Sequence, residues 1–260
     1  MARVSVEYKD HIAHVTLTRG DKMNAQDSKM MKALIAAGQE VAASDARAVV
    51  LAGEGKSFCA GLDLASFAAM AGMKAEDWLT GRTHGDANEF QEVALVWRRV
   101  PVPVIAAIRG AAFGAGLQLA LGADIRIAAP DAKLSVMEMK WGLVPDMGGM
   151  VLLPRLLRSD VLRRLTYTAE VVDAPQALAW GLVTELAEDP LAAALALAGK
   201  IAEQSPSAIR AAKRLIETAE AGDREAVLLA ESQVQAGLIG KPDQMEVVAA
   251  RMQGRTPEFK

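Results

Sequence analysis

Alternating polar and apolar positions open the chain: Val4, Val6 and Tyr8, then Ile12, His14 and Thr16, recur every second residue. A period of two marks pleated strands. It predicts short strands over Val4–Tyr8 and Ile12–Thr18, joined in a hairpin turned at Lys9-Asp10. From Ser28 the period lengthens. Met31, Leu34, Ile35 and Val41 share one side of a helix predicted to run to about Ala43. Ala48–Ala52, closed by Gly53, is a short apolar run that reads as a buried strand, as do Val104–Ile108 and Ile125–Ala129. Trp78–Val100 is predicted helical and is stopped by Pro101-Val-Pro103. A Gly-rich stretch, 109–116, leads into helical Leu117–Leu121. Beyond it, Leu191–Gln204, Ser207–Ala219, Asp223–Gly237 and Gln244–Gln253 all read as helices.

Strands therefore gather in the first two-thirds of the chain and helices in the last third. Strand and helix do not alternate evenly enough for a doubly wound sheet. Three strand-then-turn units, at 48–53, 104–110 and 125–130, recur at uneven spacing. They fit a repeated turn of strand and helix wound about a central axis.

Composition narrows the chemistry. The 260 residues carry 29 Lys plus Arg against 32 Asp plus Glu, a net charge of −3. No basic surplus exists to displace counterions, so nucleic-acid binding is not expected. The single cysteine, Cys59, excludes an internal disulfide and a multi-cysteine zinc site. The three histidines, His11, His14 and His84, fall in no metal-ligand spacing, and no metal is expected. The start has no long apolar run, and the longest uncharged stretch, Gly110–Ala123, is too short and too glycine-rich to span a bilayer. A soluble, cytoplasmic protein without membrane contact is the expectation.

Three places could hold chemistry, each marked by glycine. The first is Ser57-Phe-Cys-Ala-Gly-Leu-Asp-Leu64, where Gly61 permits backbone geometry that turns neighbouring N–H groups into a cleft. The second is Gly110-Ala-Ala-Phe-Gly-Ala-Gly116, at a helix start where free N–H groups favour a developing anion. One N–H from each turn would polarise a carbonyl as an oxyanion hole. Taken singly, both also read as tight turns where helix and strand backbones meet.

The third place is the stretch 134–149. Glu138 lies between methionines in an apolar run, and a buried carboxyl with a raised pKa suits proton transfer near neutrality. Its plainer role is a surface charge or a partner for Lys140 or Arg155. Asp146 follows Pro145 and precedes Met147-Gly-Gly-Met, so its plainer role is a helix N-cap. Two decoys fail. Gly53-Glu-Gly-Lys-Ser57 looks like the end of a phosphate-binding loop, but Val50 stands where its first glycine belongs. No G-x-S-x-G elbow occurs.

Taken together and in order, 57–64, 110–124 and 137–145 resemble the enoyl-CoA hydratase/isomerase (crotonase) family, from Arg19-Gly-Asp-Lys-Met-Asn-Ala25 to the C-terminal helices. The resemblance implies an α/β fold, a spiral of repeated ββα units over 1–200 that holds the CoA-thioester site. A helical C-terminal region over 201–260 would mediate trimers, often paired into hexamers. It implies a coenzyme A thioester as substrate and no further cofactor. The N–H groups of Leu62 and Ala115 align with the oxyanion donors. Met23, Ala25, Ala60, Asp63 and Leu64 align with the stretches that hold the coenzyme, and Lys260 is a weaker candidate for a CoA phosphate. The segment 66–90 is expected to cap the acyl pocket, with Met70, Met73 and Trp78 as apolar lining and Arg82, His84 and Asp86 as polar lining.

Gln118 departs from the pattern. Hydratases of the family carry a glutamate on the helix after the glycine turn and a second one where Glu138 stands. A glutamine amide cannot accept and return a proton. Moving a double bond needs less: a base takes a proton from one carbon, the oxyanion hole holds the dienolate, and the proton returns elsewhere. Dienoyl-CoA isomerases of the family pair a glutamate with an aspartate eight residues on, the separation of Glu138 and Asp146, although they usually carry aspartate at the Gln118 position. The sequence therefore favours an enoyl-CoA or dienoyl-CoA double-bond isomerase, with Glu138 as acid/base and Asp146 as second carboxylate. The alternatives are a hydratase in which Gln118 orients water, and a non-catalytic acyl-CoA-binding protein.

Overall fold

The computed structural model describes residues 2–66 and 74–259. The predicted hairpin is present as β1 (Val4–Lys9) and β2 (Ile12–Leu17), with Lys9 paired to Ile12. Its turn is therefore Asp10-His11, one residue later than expected, and both residues take positive φ, 51° and 61°. A two-residue hairpin turn demands that geometry, which an Asp at its first position tolerates.

β2 runs parallel to β3 (Ala48–Gly53), and β3 in turn to β4 (Val104–Ile108), β6 (Ile125–Ala128) and β9 (Glu185–Leu186). The six-stranded sheet has the order β1-β2-β3-β4-β6-β9. A second sheet joins β5 (Ala111–Phe113), β7 (Lys133–Ser135) and β8 (Val172–Asp173). The chain alternates between them: β4 leads to β5, β6 leads to β7, and after β3 Cys59 forms a single bridge to Ala112. Each circuit adds one strand to the large sheet and one rung to the small one. That is the spiral the uneven strand spacing pointed to.

Both faces of the large sheet are covered, as expected of a parallel sheet. On one face Val49 and Leu51 pack with Met30, Met31 and Leu34 of α1 (Ser28–Ala42). On the other, Ala48, Val50, Ile105 and Ile127 pack under Ala194 and Ala198. Those two alanines belong to a helix, Pro190–Ala202, so the position expected to end the core, residue 200, lies inside an element that covers the sheet. Three more helices follow, Pro206–Ala221, Arg224–Leu238 and Pro242–Gln253. Among the described residues no helix is long and apolar enough to cross a membrane.

The helix expected over Trp78–Val100 is two helices, α2 (Ala75–Leu79) and α3 (Glu89–Arg99). Asn88 starts the second by accepting from the Gln91 N–H, while Gln91 accepts from the Asn88 N–H. This reciprocal capping is a strong local start signal, and it overrides the apolar periodicity that ran across the break.

Candidate active site

Backbone pairing sets the two glycine turns side by side. Phe58 N–H donates to Arg109 O at 2.7 Å, Cys59 N–H to Ala111 O at 3.0 Å, and Phe113 N–H to Cys59 O at 3.1 Å. Gly61 takes φ +105°, and a Cβ there would stand 2.8 Å from Phe113 O and 3.8 Å from Ala115 N. No side chain fits between turns that close, so the position requires glycine. Asn24, fully buried, staples the first turn: its Nδ2 donates to Glu54 O and Ser57 O at 3.0 and 2.9 Å.

The direction of the two expected donors follows from the trans peptide, whose C=O and N–H point opposite ways. Gly61 O accepts from Gln26 N–H at 2.8 Å, which turns the N–H of the same peptide, that of Leu62, away from Gln26. Gly114 O accepts from Gln118 N–H at 2.9 Å inside the helix α4 (Ala115–Leu121), which aims the Ala115 N–H out of its N-terminus. Among the described backbone bonds, neither the Leu62 nor the Ala115 N–H donates to another loop.

Glu138 reaches this place from the second sheet. β7 ends at Ser135, whose O accepts from Gly114 N–H at 3.0 Å, and Glu138 opens the 3-10 turn Glu138–Trp141 just beyond. A Cβ on Gly114, φ +49°, would lie 3.4 Å from Glu138 Oε1. Gln118 Nε2 donates to that same oxygen at 2.7 Å. The other oxygen, Oε2, is buried and has no hydrogen-bond partner among the described residues. Burial pushes the Glu138 carboxyl above its ordinary range, the Gln118 amide works against that, and Asp146 adds to it. Neither plainer partner engages Glu138 among the described ion pairs, and Arg155 instead meets Glu220 at 2.8 Å.

Asp146 does not take its plainer role, that of a helix N-cap. The following helix, α5 (Gly149–Leu152), starts from Gly148 with no side-chain cap. Asp146 is open to solvent on one side, and the protein packed around its other side raises its carboxyl. Its field on Glu138 places the two carboxyls within electrostatic reach of each other. Gln118 is 2 % exposed and its oxygen is committed: Oε1 accepts from the Met147 and Gly149 N–H groups, both at 2.9 Å.

The positions aligned with coenzyme binding line the rim of the first turn. Ala60 N–H donates to Met23 O at 2.9 Å, and Met23 and Leu64 expose much of their apolar side chains. Arg19 joins Ala25 O, at 2.9 Å, to the Asp63 carboxylate, at 2.7 Å. Asp63 also accepts from Ala65 and Ser66 N–H, so its side chain braces the rim. Of the acyl-pocket candidates, Trp78 packs on Phe90 with ring centroids 5.1 Å apart. The polar ones are engaged by their own loop and by α3: Arg82 donates to Leu79 O and Gln91 Oε1, His84 pairs with Ala87 through the backbone, and Asp86 pairs with Arg99. Met70, Met73 and Lys260 lie outside the described residues.

One buried residue at the centre, Gln26, was not foreseen. It contacts both turns, and its only sequence signal is a polar side chain directly after Met23-Asn-Ala25.

The sequence model of the family described as enoyl-CoA hydratase/isomerase matches residues 7–260. The chain is 35% identical over 211 residues to a mitochondrial Delta(3,5)-Delta(2,4)-dienoyl-CoA isomerase of Homo sapiens, a match covering 78% of this chain and 64% of that protein's length. It is 34% identical over 215 residues to an (E)-benzylidenesuccinyl-CoA hydratase of Thauera aromatica, covering 81% of this chain and 80% of the relative. A solved structure of an enoyl-CoA hydratase from Bacillus anthracis superposes with a TM-score of 0.90 at 32% identity, covering 99% of each chain.

Proposed function

The chain belongs to the enoyl-CoA hydratase/isomerase family, and on that premise we propose that it moves a carbon–carbon double bond in an enoyl-CoA or dienoyl-CoA thioester. One observation carries the choice of isomerase: the group facing Glu138 is an amide, Gln118, whose oxygen is already taken by two backbone N–H groups.

The steps then follow from the residues. The thioester oxygen accepts from the Leu62 and Ala115 N–H groups. The Glu138 carboxylate, through Oε2, takes a proton from the α carbon, and the C–H electron pair becomes a dienolate whose charge rests on that oxygen. The protonated carboxyl returns the proton farther along the chain, so no electrons or atoms are gained or lost. For a diene, whose accepting carbon is more distant, Asp146 supplies the second carboxyl. Burial serves this cycle because a base with a raised pKa takes and gives a proton with similar ease near neutrality. Met23, Ala25, Ala60, Asp63 and Leu64 form the coenzyme-binding rim.

Hydration is the second reading, supported by the hydratase relative. It would need Gln118 to orient water, yet the only free capacity of that amide is an N–H, which would donate to the water's lone pair rather than accept its proton. Exposed apolar side chains on the late helices, including Leu229, Met245 and Met252, support assembly as a trimer or a hexamer.

The test is turnover in D₂O with crotonyl-CoA, a 3-enoyl-CoA and a 3,5-dienoyl-CoA, followed by mass spectrometry. Conversion of either of the last two without added water, with or without deuterium uptake, supports the isomerase. Addition of water to crotonyl-CoA as the main activity would replace it with the hydratase. Tight binding without turnover across a broad acyl panel would leave a binding protein.

A further inference from the structure

Gln26 is fully buried and lies between the two glycine turns. Its backbone forms a parallel bridge to Leu62, taking Gly61 O at 2.8 Å and the Asp63 N–H at 2.9 Å, one on each side of that residue. Its side chain crosses to the other turn, where Nε2 donates to Ala115 O at 3.1 Å. Gly114, immediately before, is anchored through its N–H on Ser135 O at 3.0 Å. The Ala115 N–H thus lies between two fixed points, one of which is the Gln26 amide.

The same amide makes a poor filler. Its second N–H faces only Cys59 Sγ, at 3.6 Å, and its oxygen is buried without a partner among the described residues. A hydrocarbon side chain would fill the space without stranding an acceptor. An amide kept there at that cost points to a use for the one good bond it makes, the bond to Ala115 O.

We propose that Gln26 is a positioning residue for the oxyanion hole, holding the Leu62 and Ala115 donors in register with each other from a single side chain and its backbone. The inference rests on the reading of those two N–H groups as thioester donors. Gln26 itself touches no substrate. Its backbone bonds survive substitution, whereas the bond to Ala115 O belongs to the side chain alone. Replacement should therefore loosen one donor and spare the other.

The experiment uses the full chain in its native assembly, with Gln26→Leu and Gln26→Met beside the parent. The probe is 2,4-hexadienoyl-CoA bound in the site, read by the shift of its thioester C=O stretch in difference infrared or Raman spectra. In the parent, two donors lower that frequency. In both variants it should move part of the way back toward the free thioester. Turnover should fall about tenfold, short of the roughly 10²–10³-fold cost of deleting a donor, with KM little changed. A parent spectrum with no shift would sink the thioester reading itself. A parent shift kept intact in folded variants, with unchanged kcat, would overturn the role of Gln26 alone. If both variants fail to fold, the amide is structural and the proposal also falls.

Discussion

Gln118 Nε2 donates to Glu138 Oε1 at 2.7 Å, and the amide cannot turn over because its own oxygen is held by the Met147 and Gly149 N–H groups. One buried side chain thus orients the proposed base and ties it to the backbone just after Asp146. A neutral donor on a carboxylate favours the charged form and partly offsets the rise that burial causes.

Gln118→Met removes that donor. The acid limb of the kcat/KM profile should move to higher pH, because the proposed base must lose its proton to act and now holds it more tightly. Turnover at neutral pH should drop by less than the roughly 10²–10⁴-fold that loss of the acid/base itself costs. Gln118→Glu makes the opposite test. It places a second carboxyl against the first, the two share a proton, and water addition to crotonyl-CoA should rise above the parent's. A pH profile unmoved by Gln118→Met would show that the amide does not tune Glu138.

Glu138→Gln should abolish turnover while leaving acyl-CoA binding intact, and it should also stabilise the protein. The folded carboxyl holds its proton more tightly than the unfolded one, because burial raises it. Stability from this group is therefore full below the unfolded value and is lost as pH rises through the folded one. The amide variant escapes that loss. Its thermal midpoint should exceed the parent's at pH 7 and converge with it under acidic conditions, as read by scanning calorimetry across pH. Parallel curves at every pH would contradict the buried-carboxyl account.

Asp146→Asn should separate two substrate classes. The residue caps no helix, so the change removes a titrating group without unmaking an element. Short proton transfer in a 3-enoyl-CoA needs only Glu138 and should continue at a near-parental rate. Transfer across a 3,5-dienoyl-CoA needs the second carboxyl and should slow by about 10²-fold or more. Equal losses on both substrates would mean that Asp146 serves the site through its field on Glu138.

The three glycine-marked stretches were legible because their cues are local: Gly61 and Gly114 stand where only glycine tolerates the turn, and Glu138 is a carboxyl in an apolar run. β5 and β7 left no trace, since three residues each, embedded in Ala111–Phe113 and Lys133–Ser135, cannot display a period. Asn88 and Gln91 carried a readable helix start that the apolar pattern across Trp78 masked. Gln26 was hidden for another reason. Its partner on the second turn, Ala115, lies 89 residues away, and two of its three good bonds are made by backbone, which no residue type announces.

Lys213 offers a test of what fastens the late helices to the core. It is 7 % exposed, and its Nζ donates to Trp97 O at 3.3 Å, Val102 O at 3.0 Å and Asp124 Oδ2 at 2.8 Å. Burial lowers its pKa and Asp124 opposes that fall. The three acceptors surround the turn that closes α3 and the entry to β6, so one ammonium ties the helix Pro206–Ala221 to both. Lys213→Met keeps the stem and removes the charge, which strands two carbonyls and leaves Asp124 without its nearest cation. Breaking a buried pair from one side costs roughly 3–5 kcal/mol, and the partial exposure of Asp124 favours the lower end. Urea unfolding at fixed protomer concentration should show a loss of about 3 kcal/mol, while kcat per folded protomer stays at the parental level. A loss well below about 1 kcal/mol would place the pair with weak surface bridges and shift the fastening to the apolar contacts of the same helix.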